Sequence, residues 1–409
     1  MPRVKPFRAV RPVPENAANV ASVPYDVVNR NEAAELAEGN ADSFLHVIRP
    51  DIDLPSGTDP YSAEIYAKAK ENFDRFLADG VLKQDDTASI FLYRQIMDGK
   101  SQIGIVCCCH VDDYENNRIL KHEKTRPAKE DDRTRHIMTL GAHPGPLFLA
   151  YKDHDTVNAA VESAITEAPL VDFTAPDGVQ HTIWQVTDCD GYVDALTSVP
   201  AFYIADGHHR AASAWRTGKQ HREENASHTG DEEYNWFLTV LFPSSQLKIL
   251  AYNRIIKDLN GLTGDQLLEK LAAVGAVEPT DNPVPESAGT FCLFIDGSWH
   301  KVTVPAGSID QSDPINSLDV ALLEHRVITP IFGIEDVRTD PRIDFVGGIR
   351  GTDELEKRVN SGDWACAFSM YPTSIEQLMA VSDAGEVMPP KSTWFEPKLR
   401  SGLFVHLLE

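Results

Sequence analysis

The chain has 409 residues, 42% of them hydrophobic and 24% charged, with a formal net charge of −24 at pH 7. Such a length holds two to three domains, or one large domain with insertions, and the composition is that of an ordinary globular protein. The acidity argues against broad attraction to nucleic acid or anionic membranes, and no run approaches the roughly 18 uninterrupted apolar residues of a membrane helix.

The N-terminal MPRVKPFRAVRPVPE is basic but has no apolar centre, so it does not read as a secretory signal, and a cytoplasmic location is expected. VPYDVVNRNE (23–32) and FLHVIRPDID (44–53) put Tyr25, Asp26, Asn29, His46 and Arg49 at the ends of apolar segments. SIFLYRQIM (89–97) and QIGIVCCCHV (102–111) read as a hairpin turning at MDGKS. The six cysteines, at 107, 108, 109, 189, 292 and 366, form no CxxC pair, so buried reduced thiols are expected.

Residues 115–142 pass from a strand-like start into a charged helix, and PLFLAY (146–151) and HTIWQVT (181–187) are strand-like. FYIA (202–205) predicts a short strand, HHRAASAWRTG (208–218) a helix ended by Gly218, and the polar stretch 218–235 a surface loop. WFLTVLFP (236–243) and LKILAYNRII (247–256) look like a second hairpin. A separate small α/β unit is expected at 258–305, with the helix TGDQLLEKLAAVG and a hairpin around Asp296-Gly297, followed by a linker at 306–316. Residues 1–257 and 317–409 then make the main core, and the alternation of strands and helices predicts an α/β or α+β fold.

Neither a P-loop nor a GxGxxG fingerprint occurs, so a phosphate would need another cradle. The stretch YIADGHHR supplies one. Gly207 lets the chain turn sharply after a strand, and the N–H groups of the next helix point beyond the strand end. His208, His209 and Arg210 surround that point with donors. Zinc is disfavoured, because adjacent histidines on a helix diverge by about 100° and no HExxH or matching Cys/His pair lies nearby. A capped turn with surface histidines is the bland alternative, and the density of polar groups argues against it.

KHEKTRPAKEDDRTRH (121–136) is the second concentration. Most such runs are solvated helix faces. Here Arg126, Lys129, Glu130 and Arg133 fall three or four apart on one helical face, with His122, Glu123 and Thr125 before them at the helix start. Such a face could hold phosphates with its cations and a divalent ion with its carboxylates. RIDFVGGIRG (342–351) and MPPKSTWFEPK (388–398) put paired glycines, Arg350 and Lys391 in loops that could form a lip over a site.

On these motifs the chain resembles, over essentially its whole length, a bacterial domain-of-unknown-function family marked by KHEKTR, ADGHHR, RIDFVGGIRG and MPPKSTWFEPK. Its DGHHR turn is similar to the phosphate turn of the ParB/sulfiredoxin-like superfamily, which includes kinases of free L-serine. The resemblance implies a ParB/sulfiredoxin-like core with additional mixed α/β parts, and formation of O-phosphoserine with pyrophosphate as donor. It implies that the aspartate of the turn, Asp206, lies by the serine hydroxyl and that Gly207, His208, His209 and Arg210 lie by the phosphates.

The expected mechanism uses Asp206 as base, Glu123 as second choice, and His209 in the catalytic group. Arg126, Lys129 and Arg133, with His122 and Thr125, would neutralise phosphate, and Mg²⁺ would be held through Glu123. Arg49, Arg350 and Lys391 are candidates for the amino-acid substrate. The partners expected are small molecules, with no nucleic acid and no membrane, and a homodimer is left open. A phosphoserine phosphatase on the same residues, and a non-catalytic ParB-like nucleotide-binding module, are the alternatives.

Overall fold

Asp98 and Gly99 both have positive φ, 52° and 75°, and close a tight turn that pairs Met97 with Lys100. The strands they join, Ile90–Met97 and Lys100–His110, run through the centre of a nine-stranded sheet. Asp-Gly suits this turn because both central residues need left-handed backbone. The computed structural model describes residues 1–409 and shows a mixed α/β chain in two units. The first comprises Met1–Leu120, Thr125–Leu247 and Pro397–Glu409, and the second Lys121–Lys124 with Lys248–Glu396.

In the first unit, the sheet runs from Ile119–Leu120 through Phe202–Asp206, Leu147–Tyr151 and Trp236–Pro243 to the central hairpin, then to Gln180–Val186 and Val171–Thr174. Trp236–Pro243 is antiparallel to Lys100–His110 but parallel to Leu147–Tyr151, so the sheet is mixed. The three consecutive cysteines lie on the Lys100–His110 strand, and all six cysteines are free and buried, as expected. Cys107 and Cys109 share one face with Ile105, Leu149 and Ile204 in the apolar core. Burial pushes the Cys108 and Cys109 thiols up, which keeps them protonated.

The helix Pro127–Leu140 begins just after Arg126, with proline in its first turn, and ends at Gly141 in the left-handed conformation. The helix after the DGHHR turn, His208–Glu224, does not stop at Gly218 but continues six residues beyond it, into the stretch expected as loop. A Cβ at Gly218 would sit 2.8 Å from the Tyr234 carbonyl oxygen and 3.2 Å from Val111. This glycine therefore permits close packing rather than ending the helix.

The hairpin expected at 236–256 does not form. Trp236–Pro243 belongs to the first unit's sheet, Lys248–Leu250 pairs with Trp394–Glu396, and Tyr252–Ile256 lies in the second unit. Two apolar runs with a short gap between them satisfy the hairpin pattern whether or not they pair, so pattern alone misassigned them.

The second unit is built on a six-stranded antiparallel sheet, ordered Ala276–Pro279, Ser298–Thr303, Thr290–Ile295, Cys366–Met370, Tyr252–Ile256, Ile343–Gly347. The expected hairpin at Asp296-Gly297 and the helix Gly264–Ala272, with its Thr263 capping box, are both present. They are not a separate unit at 258–305, however. Thr290–Ile295 pairs directly with Cys366–Met370, so half of the sheet comes from outside that span. Pro- and Ser-rich flanks marked loops inside a domain, not its borders.

Candidate functional site around the DGHHR turn

The strand Phe202–Asp206 carries four buried residues and delivers Asp206 at its exposed end. Gly207 follows with φ 95° and ψ 32°, a left-handed turn that reverses the chain into the helix His208–Glu224. The first bond of that helix runs from the Ala211 N–H to the Gly207 carbonyl. The N–H groups before it have no carbonyl one turn back, and glycine offers no side-chain cap. A helix of 17 residues thus opens a positive end toward the strand terminus.

Asp206 is the acid of this turn. Its Oδ2 lies 3.0 Å from Arg210 Nη2 and 3.7 Å from Lys398 Nζ, and its side chain is 28% exposed. The carboxylate is thus flanked by two cations and remains partly exposed. Arg210 also donates through Nη1 to the Pro146 carbonyl, and its Nε has no protein acceptor. Burial opposes the Arg210 charge, but Asp206, Asp26 and Tyr25 more than offset it and raise its pKa. The sequence motifs assign no role to Lys398, although it closes the WFEPK motif.

His209 has a specific role in this geometry. The Arg126 backbone N–H donates to its Nε2 at 3.1 Å, so that nitrogen acts as an acceptor and carries no proton here. The contact joins the two motif segments of the first unit, placing exposed Arg126 beside the helix start. His208 is buried, with 7% exposure.

The two helices pack side by side. Ser213 Oγ donates to the Glu130 carbonyl, and Arg216 reaches Glu130 at 3.3 Å and Asp131 at 2.5 Å. Thr125 Oγ1 donates to Glu130, and Asp132 accepts from Arg133 at 2.9 Å and from the Tyr66 hydroxyl at 2.9 Å. Glu130, Asp131 and Asp132 are therefore engaged with protein donors. Lys129 Nζ sits 5.6 Å from the Tyr61 ring centroid, and Arg133 stacks on Tyr25 at 4.2 Å.

Arg49, expected as a substrate arginine, already has a carboxylate. Its Nε and Nη2 form a fork on Asp51 at 3.0 and 2.8 Å, and Nη1 donates to the Tyr25 and Val28 carbonyls. These bonds tie Arg49 to the loop that carries Tyr25.

The remaining motif residues lie in the second unit. Met388 N–H donates to the His122 carbonyl, and His122 Nε2 lies 3.3 Å from Thr393 Oγ1. His122 and Glu123 present ligand atoms within 4.8 Å of one another. Lys391 has φ 58°, and its Nζ sits 5.4 Å from the Tyr252 ring centroid. Gly347 lets the backbone meet Trp394, because a Cβ there would be 2.6 Å from the indole. Arg350 ends the short turn Gly348–Arg350 and is exposed.

No helix is long and apolar enough to cross a membrane. None of the curated proteins matches the sequence. Among solved structures, a conserved hypothetical protein from Pyrococcus furiosus is 14% identical, with a TM-score of 0.37 over 74% of this chain and 95% of that one. SbnI with a C-terminal truncation, from Staphylococcus aureus, is 13% identical with a TM-score of 0.40, over 74% and 87% of the two chains. A free serine kinase in complex with AMP is 14% identical with a TM-score of 0.35, over 72% and 91%. The sequence profile of one family matches residues 4–321, and the chain belongs to that family, described as protein of unknown function DUF1015.

Proposed function

We propose that the protein is a phosphotransferase that phosphorylates free L-serine, with pyrophosphate as donor. The observation that carries this reading is the turn itself, a left-handed Gly207 that opens a 17-residue helix toward a partly exposed carboxylate flanked by Arg210 and Lys398. Phosphoryl transfer asks a protein mainly for positioning and for neutralisation of the moving charge.

In this reading the helix start, with His208 and Arg210, holds donor phosphate, and Arg126, Lys129 and Arg133 add positive charge. His209 orients the Arg126 segment through its hydrogen bond. Asp206 accepts the serine hydroxyl proton as the new O–P bond forms, and the donor's P–O bond breaks with its electron pair leaving on phosphate. Glu123 is the second candidate for that base. Arg350 and Lys391 remain the candidates for the amino-acid substrate.

A hydrated Mg²⁺ suits one carboxylate plus substrate phosphates better than a mixed imidazole set. Glu123 fits that pattern, with His122 as its neighbour, and the ion would supply charge neutralisation on phosphate oxygens.

The test is to incubate the protein with L-serine, Mg²⁺ and pyrophosphate, ADP or ATP in turn, and to follow phosphorus by NMR. Phosphoserine forming with pyrophosphate, and ceasing on chelation of the metal, is the expected result. Phosphate released from phosphoserine alone would identify a phosphatase instead.

A further inference from the structure

Lys398 is anchored in the first unit through its backbone. Its carbonyl accepts from Gln95 Nε2 at 2.9 Å, and Gln95 Oε1 in turn accepts from Gln102 Nε2 at 3.0 Å. Both glutamines are buried, and they stand in register on the two strands of the central hairpin. Two residues on, buried Arg400 bonds Asp177 and His181, and Ser401 exchanges backbone hydrogen bonds with Ser22. A segment laced down at these points fixes where the lysine stem begins.

The stem ends beside the acid of the DGHHR turn. The Lys398 side chain is only 11% exposed, and its Nζ stands 3.7 Å from Asp206 Oδ2. Lysine is rarely this buried without a charge partner, yet the separation is longer than a hydrogen bond, which reaches about 3.2 Å. Arg210 meets the same oxygen differently. Its Nη2 is 3.0 Å away and its Nη1 donates to the Pro146 carbonyl, so the planar guanidinium is fastened at two points. Of the two cations on Oδ2, the arginine is locked, and the lysine is a point charge on a flexible four-carbon stem.

The proposed reaction changes what these cations face. When Asp206 takes the serine proton it becomes neutral, and the two positive charges lose their anion. In the same step the serine oxygen bonds to the terminal phosphorus of pyrophosphate, and the bridging P–O bond breaks with its electron pair leaving on phosphate. A base that takes this proton lies about 3 Å from the serine oxygen, and the phosphorus is one bond further on. The oxygens of the moving group therefore come within reach of an ammonium already beside Asp206.

We propose that Lys398 is a catalytic residue that passes from Asp206 to the phosphoryl group in transfer, neutralising that group as the aspartate is protonated. The assignment rests on the serine kinase reading and adds a cation to which that reading gives no role. At rest the ammonium balances the Asp206 carboxylate. Its contact with phosphate strengthens only as the reaction proceeds, which is the kind of interaction that raises kcat rather than substrate affinity.

Lys398→Met removes the charge and nearly keeps the length of the stem. It is expected to lower kcat by roughly 10²- to 10³-fold, with pyrophosphate affinity by calorimetry within about threefold of wild type. The loss should be the same from about pH 6.5 to about pH 9. If Lys398 only kept Asp206 ionised, kcat would recover at high pH, because a carboxylate that has lost a neighbouring cation binds its proton more tightly. Such recovery, or an unchanged kcat, overturns the inference and leaves the kinase reading standing.

A second readout needs no turnover. In protein labelled with ¹³C-lysine, with the Lys398 Cε resonance assigned through Lys398→Arg, O-phospho-L-serine should shift that resonance and L-serine should shift it less. Equal shifts, or none, overturn the inference. If no donor supports turnover the kinase reading falls, and the resonance alone decides whether Lys398 contacts phosphate, as it does if Lys398→Met does not fold.

Discussion

Asp206 and Arg210 face each other across the first turn of one helix, Oδ2 to Nη2 at 3.0 Å, with Gly207 folded beneath the guanidinium. The acid is thereby aimed by a cation that the same turn supplies. Asp206→Asn keeps the size and can still accept from Arg210, but it cannot take a proton. In the proposed reaction it should lower kcat by roughly 10²- to 10⁴-fold while leaving pyrophosphate binding within a few-fold. The pair is partly exposed, so stability should change by no more than about 1 kcal/mol. Phosphorus NMR and a thermal melt measure the two effects separately, and full turnover in this variant would remove Asp206 from the role of base.

Gly207 is the more demanding position. At φ 95° an L side chain is strained, and its Cβ would stand 3.0 Å from Arg210 Nε and 3.1 Å from Arg210 Cζ. Gly207→Ala should therefore cost about 1–2 kcal/mol from the backbone and also displace the guanidinium from Asp206. The expected result is a lower midpoint in urea together with weakened pyrophosphate binding. A variant of full stability with normal binding would show that the turn tolerates a side chain and that Arg210 need not lie over it.

The turn was legible in the sequence because its signals are local. A strand, a glycine and a helix start follow one another within ten residues, and each leaves its mark in residue type. The hairpin at Asp98-Gly99 was readable for the same reason. What failed depends on residues distant in the chain. Gly218 has the residue type of a helix stop, and only the Tyr234 carbonyl packed against it gives the real reason for glycine there. The strand Trp236–Pro243 finds its partners more than eighty residues upstream, and nothing in its own pattern names them.

In the second unit, Gly347 has an ordinary extended φ of −61°, so backbone strain gives it no reason to be glycine. The reason is contact. A Cβ would fall 2.6–2.8 Å from three atoms of the Trp394 indole, and that ring is fixed by a 2.7 Å bond from its N–H to Glu396. Gly347→Ala should destabilise the protein by about 1–3 kcal/mol through overpacking, read by denaturant unfolding. Adding Trp394→Leu should restore part of the loss, because the clash partner is then smaller and flexible. If the double variant is simply the sum of the two single losses, the contact is not the cause.

Acid should unfold the protein through its buried histidines before most carboxylates are protonated. His136, His143 and His181 each have a pKa held down at about 3, mainly by burial, with Arg133, His406 and Arg400 respectively adding to it. An unfolded histidine titrates near 6.5, so between that pH and about 3 the unfolded chain binds more protons than the folded one. Stability conferred by neutral burial is thus full above pH 6.5 and lost as pH falls, at roughly 1.4 kcal/mol per pH unit for each histidine. From pH 6.5 to 5 these histidines dominate, because most unfolded carboxylates titrate below that range, while buried Asp319, pushed up to about 6, opposes them with a single proton of the other sign.

His181 offers the cleanest check of that slope. Its ring accepts from Arg400 Nε at 3.3 Å and meets the Tyr93 hydroxyl at 2.7 Å, an arrangement that already uses both nitrogens. His181→Gln should lower stability at pH 7, because it breaks these bonds, yet flatten the dependence between pH 6.5 and 5 by about one histidine's share. Urea titrations at three pH values in that window measure the slope directly. An unchanged slope would mean that the folded protein protonates His181 as readily as the unfolded chain does, and the Arg400–His181–Tyr93 contact would then have to be read with a charged ring.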